Sequence, residues 1–180
     1  MASSSPIIYR LAFGNDWKNP EIFSRSINWN RLLLLKSGSE LVGYLQFYRD
    51  GIGPHDVSFA DVKDVFGGWS AALRYVVYRV IKRRFHSRGA YLYHIKIVKD
   101  YRGKGAGKFL TRAWLDSLNA QGVDSASLEV WAKNTTAIGC YESLGFQIVK
   151  TTSFKYLHRF NFIGDKALIT MEKKLNKDGV

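Results

Sequence analysis

Residues 91–120 read YLYHIKIVKDYRGKGAGKFLTRAWLDSLNA, three successive characters that decide the fold. Residues 91–98 alternate tyrosine, leucine, histidine and isoleucine, the pattern of a central strand. Residues 104–120 read as a helix with Ala106, Leu110, Ala113, Trp114 and Ser117 on its small-to-apolar face, closed by Gln121-Gly122. Between them runs Tyr101-Arg102-Gly103-Lys104-Gly105-Ala106-Gly107-Lys108. Glycine adopts positive φ and lets a ligand approach the backbone closely. The first N–H groups of the following helix lack intrahelical partners, and the helix dipole favours negative charge there. Together these predict a pyrophosphate cradle, to which Arg102, Lys104 and Lys108 add positive charge. It is not a Walker loop, because no Lys-Ser/Thr pair follows its last glycine at the required spacing. A nicotinamide site fits less well: the glycines give only GxGxG, and no acidic residue ends a second strand about twenty residues on.

Outward from this stretch the chain keeps alternating. Downstream, 127–131 reads as a strand, 134–144 as a helix ended by Gly145, and 146–152 and 167–172 as the last strands. Upstream, 7–13 reads as a first strand and 15–28 as a loop and short helix starting at Asn19-Pro20-Glu21. A hairpin follows over 32–36 and 41–49, and Gly51-Ile52-Gly53-Pro54 breaks it. Then comes a helix over 69–85, whose Trp69, Ala72, Leu73, Val76, Val77, Val80 and Ile81 form one apolar stripe. Arg74, Arg79, Lys82, Arg83 and Arg84 lie off that stripe. The expectation is that the stripe packs on a core; a basic amphipathic helix can instead meet a membrane or nucleic acid.

The 180 residues suit one domain with a substantial core. Hydrophobic content of 46% and charged content of 23% are those of a soluble globular protein. No run approaches the roughly 20 apolar residues that span a bilayer. The opening MASSSPIIYRLAF lacks a basic segment followed by a long apolar one, so no secretory signal is expected. The single Cys140 excludes an internal disulfide, and with it a cytoplasmic location is expected. The four histidines show no metal-ligand spacing, so no metal is expected. A net charge of +12 predicts anionic ligands, although the basic residues are spread rather than gathered.

A second motif lies about twenty residues beyond the glycine run: Leu128-Glu129-Val130-Trp131-Ala132-Lys133-Asn134-Thr135-Thr136-Ala137-Ile138-Gly139-Cys140-Tyr141-Glu142-Ser143-Leu144-Gly145-Phe146. In order and separation the two motifs resemble those of the GNAT superfamily of acetyl-CoA-dependent N-acetyltransferases. That family's Arg/Gln-x-x-Gly-x-Gly/Ala turn is matched by Arg102, Gly105 and Gly107, and its Asn-x-x-Ala-x-x-x-Tyr-x-x-x-Gly-Phe pattern by Asn134, Ala137, Tyr141, Gly145 and Phe146. The likeness covers about 90–150 closely; the N-terminal half matches only in element order. It implies an α/β fold with a mixed, mostly antiparallel sheet flanked by helices and splayed between two parallel strands, here 91–98 and 127–131. It implies one acetyltransferase domain over 1–180, with a helical insert at about 52–89.

By the same resemblance, the coenzyme A of an acetyl-CoA donor would lie against Ile97, Val98, Arg102, Gly103, Lys104, Gly105, Ala106, Gly107, Lys108 and Asn134. The N–H of Ile97 or Val98 would stabilise the oxyanion, Tyr141 would be the acid, and Glu129 the base. LEVWAKNTTAIGCYESLGF is similar to the ribosomal-protein alanine N-acetyltransferases, where a glutamate and a tyrosine twelve residues apart act in these roles. His94 is an alternative base, though a buried structural histidine is the plainer reading. Asn134 also suits a helix cap, and Cys140 packing. The segment between first strand and hairpin is short for this family. The insert is therefore expected to replace the missing helices and line an acceptor wall with Arg79, Arg83 and Arg84. The implied acceptor is a primary amine, on a small molecule or a peptide N-terminus. Neither a membrane nor nucleic acid is an expected partner, and the family admits homodimers. The alternative is a catalytically silent acyl-CoA sensor.

Overall fold

The computed structural model describes residues 12–13, 19–83, 89–153 and 167–175. Among these residues six strands form one sheet, ordered β1-β2-β3-β4-β6-β5. β1 (Leu32–Ser37) and β2 (Glu40–Tyr48) make the predicted hairpin, with Ser37 opposite Glu40 and Gly38 at φ 60° in the turn. β2 runs antiparallel to β3 (Ala90–Ile97), with a register shift between Gln46 and Phe47. A helix, α4 (Ala106–Ala120), connects β3 to β4 (Ser125–Trp131), which lies parallel to β3. Parallel neighbours need such a crossover. α5 (Thr135–Glu142) and β5 (Gln147–Ser153) follow, and β6 (Ala167–Lys174) inserts antiparallel between β4 and β5.

The larger core lies where α4 and α5 cover one face of the sheet. Leu110, Trp114 and Leu118 on α4 meet Leu45, Leu92, Leu128 and Met171 from the strands. Burying each such side chain contributes about 1.5–3 kcal/mol. One expected member of the face is corrected: Ala113 is exposed, and Thr111 and Leu115 are buried instead. The end of α4 forms as expected. Gly122 stands at φ 67° while its N–H bonds Asn119 O and that of Val123 bonds Leu118 O, the paired bonds of a Schellman close.

On the other face a second cluster gathers around α1 (Asn19–Arg25), α2 (Phe59–Phe66) and α3 (Gly68–Arg83). Phe13, Ile22, Val57, Val62, Ala71 and Tyr78 are buried together, and Tyr93 of β3 packs against both this cluster and Tyr48 of β2. α2 went unpredicted, although its start is written in the sequence. Ser58 accepts the Asp61 N–H, and Asp61 accepts the Ser58 N–H in return, a reciprocal cap. The expected strand over 7–13 lies outside the described residues up to position 11, and Ala12 and Phe13 are helical. Arg84 and the predicted end of its helix also lie outside them.

The apolar stripe of that helix is a further correction. Trp69, Leu73, Val76 and Val80 point outward, while Ala71 and Tyr78 are buried. Tyrosine, arginine and lysine carry long apolar bodies under a polar tip, and here they take the packed side: Tyr78 reaches Val57 and His55, Arg74 lies on the Phe66 ring, and Lys82 pairs with Asp56.

Candidate active site

The site begins where two parallel strands part. β3 and β4 are paired only from Ala90 with Ala126 to Leu92 with Leu128. Beyond that, β3 continues against β2 as far as Ile97, and β4 against β6 as far as Trp131. A wedge therefore opens between their C-terminal ends. The Val98 N–H is bonded to Val42 O at 2.9 Å. Backbone groups of successive residues point to alternate edges of a strand, so the Ile97 N–H faces the wedge.

Past Val98 a 3₁₀ turn, Lys99–Tyr101, leads to the glycine run. Gly103 and Gly105 stand at φ 73° and 82°. A Cβ at Gly105 would meet nothing within 4 Å, so its requirement is the left-handed backbone. Gly105 is the N-cap of α4 and offers no side-chain cap, and the first helical bond runs from Phe109 N–H to Gly105 O. The N–H groups of Ala106, Gly107 and Lys108 precede that first bond and stay open for an anion. Arg102 donates from Nε to Ile97 O at 2.9 Å, which ties its guanidinium to the end of β3.

These elements enclose a cleft of about 670 Å³. Ile97, Arg102, Gly103, Gly105, Ala106, Gly107, Lys108, Asn134 and Tyr141 line it; Val98 and Lys104 stand beside it, and Glu129 is not in its wall. The lining comes from both sides of β3. Ile95, Ile97, Thr111 and Tyr141 belong to the face covered by α4 and α5, and Tyr44, His94 and Lys96 to the other. The cleft thus passes through the sheet at the wedge.

Tyr141 is buried on α5, edge-on to Phe146 at 5.9 Å, and burial, helped by Cys140, pushes its hydroxyl up to about 12. It is a neutral donor at any ordinary pH. Asn134 caps α5, its Oδ1 accepting from Ala137 N–H at 3.2 Å. Cys140 lines the cleft, but burial raises its thiol above the usual range despite nearby Lys108.

Glu129 lies on the face of β4 away from Leu128 and Val130, where the Tyr91 hydroxyl donates to its Oε2 at 3.4 Å. His94 is half-buried rather than buried. It lines the cleft, its ring 5.6 Å from that of Tyr44, and burial, then Lys96, holds its pKa below the usual value. Tyr44 and Tyr101 also line the cleft unpredicted. Arg79 and Arg83 are exposed and line none of it, contrary to the wall expected of them.

A model described as the acetyltransferase (GNAT) family matches residues 7–146. The chain belongs to that family. A ribosomal protein bS18-alanine N-acetyltransferase of Escherichia coli K12 is 44% identical over 57 residues, 32% of this chain and 38% of that relative. The match therefore spans well under half of the relative's length. Among solved structures, the ribosomal-protein-S18-alanine N-acetyltransferase from Escherichia coli aligns at a TM-score of 0.53 and 21% identity over 90% of this chain and 88% of its own. A putative streptothricin acetyltransferase from Bacillus anthracis, in complex with acetyl coenzyme A, aligns at 0.55 and 17% over 85% and 68%. At these identities the structures establish a shared GNAT fold.

Proposed function

We propose that this protein transfers an acetyl group from acetyl-CoA to a primary amine within a ternary complex. The observation that carries this reading is the cleft through the wedge, which runs from the uncapped start of α4 to Tyr141. The donor set suits a pyrophosphate: three open N–H groups, Arg102 tethered alongside, and Lys108. A bound acetyl thioester supplies the carbon that the amine attacks, the C–N bond forming as the C–S bond breaks. Ile97 N–H faces the position where the oxyanion develops, and Val98 N–H, held by Val42, does not. Tyr141 donates a hydrogen bond to the departing sulfur. With its hydroxyl at about 12, it stabilises the thiolate, whose thiol is far more acidic, rather than surrendering its proton.

The attacking amine must be neutral, and Glu129, held by Tyr91, takes its proton from the face opposite α4 and α5. One observation favours a second reading of the base. His94 lines the cleft and is kept neutral by burial, hence able to accept a proton. The acceptor is a small amine or a peptide N-terminus, the latter supported by the bS18-alanine N-acetyltransferase relative. The single thiol supports a cytoplasmic setting. The test is release of coenzyme A from acetyl-CoA across polyamines, aminoglycosides, amino acids and N-terminal peptides. Amine-dependent release that Glu129→Gln lowers and His94→Gln spares assigns the base to Glu129. The reverse assigns it to His94, and binding without release under any amine makes the protein a sensor.

A further inference from the structure

The insert carries a surface that acetyl transfer does not use. Trp69, Leu73, Val76 and Val80 stand at i, i+4, i+7 and i+11 on α3 and are 93%, 69%, 58% and 60% exposed. At the α-helical repeat they fall within roughly 60° of arc. The buried Ala71 and Tyr78 occupy the opposite side. The helix is therefore anchored by one side and apolar on the other. A contiguous exposed patch of this kind marks an interaction site.

Charge indicates what covers it. The sequence of α3 contains no acidic residue. Lys82 is engaged by Asp56 and Arg74 lies on Phe66; Arg79, which also donates to the Tyr75 hydroxyl of the same helix, and Arg83 are exposed on one flank of the stripe. We propose that this side of α3 docks on an anionic lipid bilayer. The patch is a convex ridge, the shape a helix presents when it lies in the membrane interface with its apolar side down and arginines at the phosphates. Trp69 at one end is the residue type favoured at that boundary. An antiparallel second copy would set the two arginine flanks against each other. No helix among the described residues is long and apolar enough to cross a membrane, so the contact is peripheral. The sequence places this stripe on a core, which its exposure corrects; the bilayer contact is proposed against the expectation of no membrane partner.

Sedimentation of the full chain with phosphatidylcholine vesicles, with and without phosphatidylglycerol, tests the proposal. Two interfacial arginines predict roughly thirtyfold tighter binding to the mixed vesicles. Leu73→Glu and Val76→Glu each abolish binding, and Arg79→Glu with Arg83→Glu reduces it to the phosphatidylcholine level. All four side chains are exposed, and circular dichroism confirms that the variants fold. Leu73→Glu leaves turnover of a soluble amine unchanged. Three results overturn the proposal: no preference for anionic vesicles, undiminished binding of Leu73→Glu, or a solution dimer that Leu73→Glu makes monomeric, which gives the face to a second copy.

Discussion

In the proposed mechanism Tyr141 concentrates the chemistry of the site in one hydroxyl. Burial holds it protonated to about 12, so its donation does not vary across the usual assay range, and any alkaline limb of activity below pH 10 belongs to another group. Tyr141→Phe is expected to lower kcat about a hundredfold while calorimetry finds acetyl-CoA affinity intact. Tyr91 supports Glu129 through one hydrogen bond. If Glu129 is the base, Tyr91→Phe removes a donor that orients its carboxylate and should lower kcat in amine turnover assays while calorimetry finds acetyl-CoA affinity unchanged. His55 makes a separate prediction about stability. Burial lowers its pKa from 6.5 to about 4, so below pH 6.5 the unfolded chain takes a proton that the folded one refuses. Stability falls as pH drops through that window, by about 3 kcal/mol in total. Denaturant titrations of His55→Gln should show a flatter slope between those limits. Tyr141 was legible from its motif. Tyr44 was not, because it reaches the cleft through cross-strand pairing with Lys96, a relation no local pattern carries.

At the scale of elements, two glycines position the site for different reasons. Gly105 starts α4 at φ 82°, and Gly105→Ala should cost about 1–2 kcal/mol while distorting the cradle. Gly43 of β2 lies where a Cβ would stand 2.5 Å from Ile97 Cδ1 and 2.9 Å from Lys96 O. A backbone oxygen cannot swing aside, so Gly43→Ala should cost about 1–3 kcal/mol in denaturant titrations and also weaken acetyl-CoA binding by displacing Ile97. The elements were readable where local signals agreed with packing. The hairpin, α4 with its glycine close, and the strand–helix pair around Asn134 all follow their patterns. α3 does not, because valine, leucine and tryptophan dominate its periodicity while Tyr78 and Arg74 take the buried side. α2 was missed because eight residues give little periodicity, although its reciprocal cap was present.

The whole molecule places its two clusters on opposite faces of one sheet, and the cleft joins those faces only where β3 and β4 part. A donor held over α4 and an acceptor arriving from the other face can meet at that opening. The sequence carried the donor half of this arrangement, since a glycine run and a downstream Asn–Tyr pattern are local. The cluster on the other face depends on α1, α2 and α3 and on Tyr93 packing across the sheet, which sequence spacing does not reveal. The central claim is that the open N–H groups of α4 hold the pyrophosphate of acetyl-CoA. Gly107 tests it because a Cβ there meets only Ile97 Cγ1, at an ordinary 3.8 Å. Gly107→Glu puts a helix former with favourable charge in the first turn, so the fold should be as stable or more so. Its carboxylate would occupy the cradle. Calorimetric titration of acetyl-CoA into this variant should show binding reduced at least about a hundredfold, with no fall in Tm. Equal affinity in the variant and the native protein would contradict the claim.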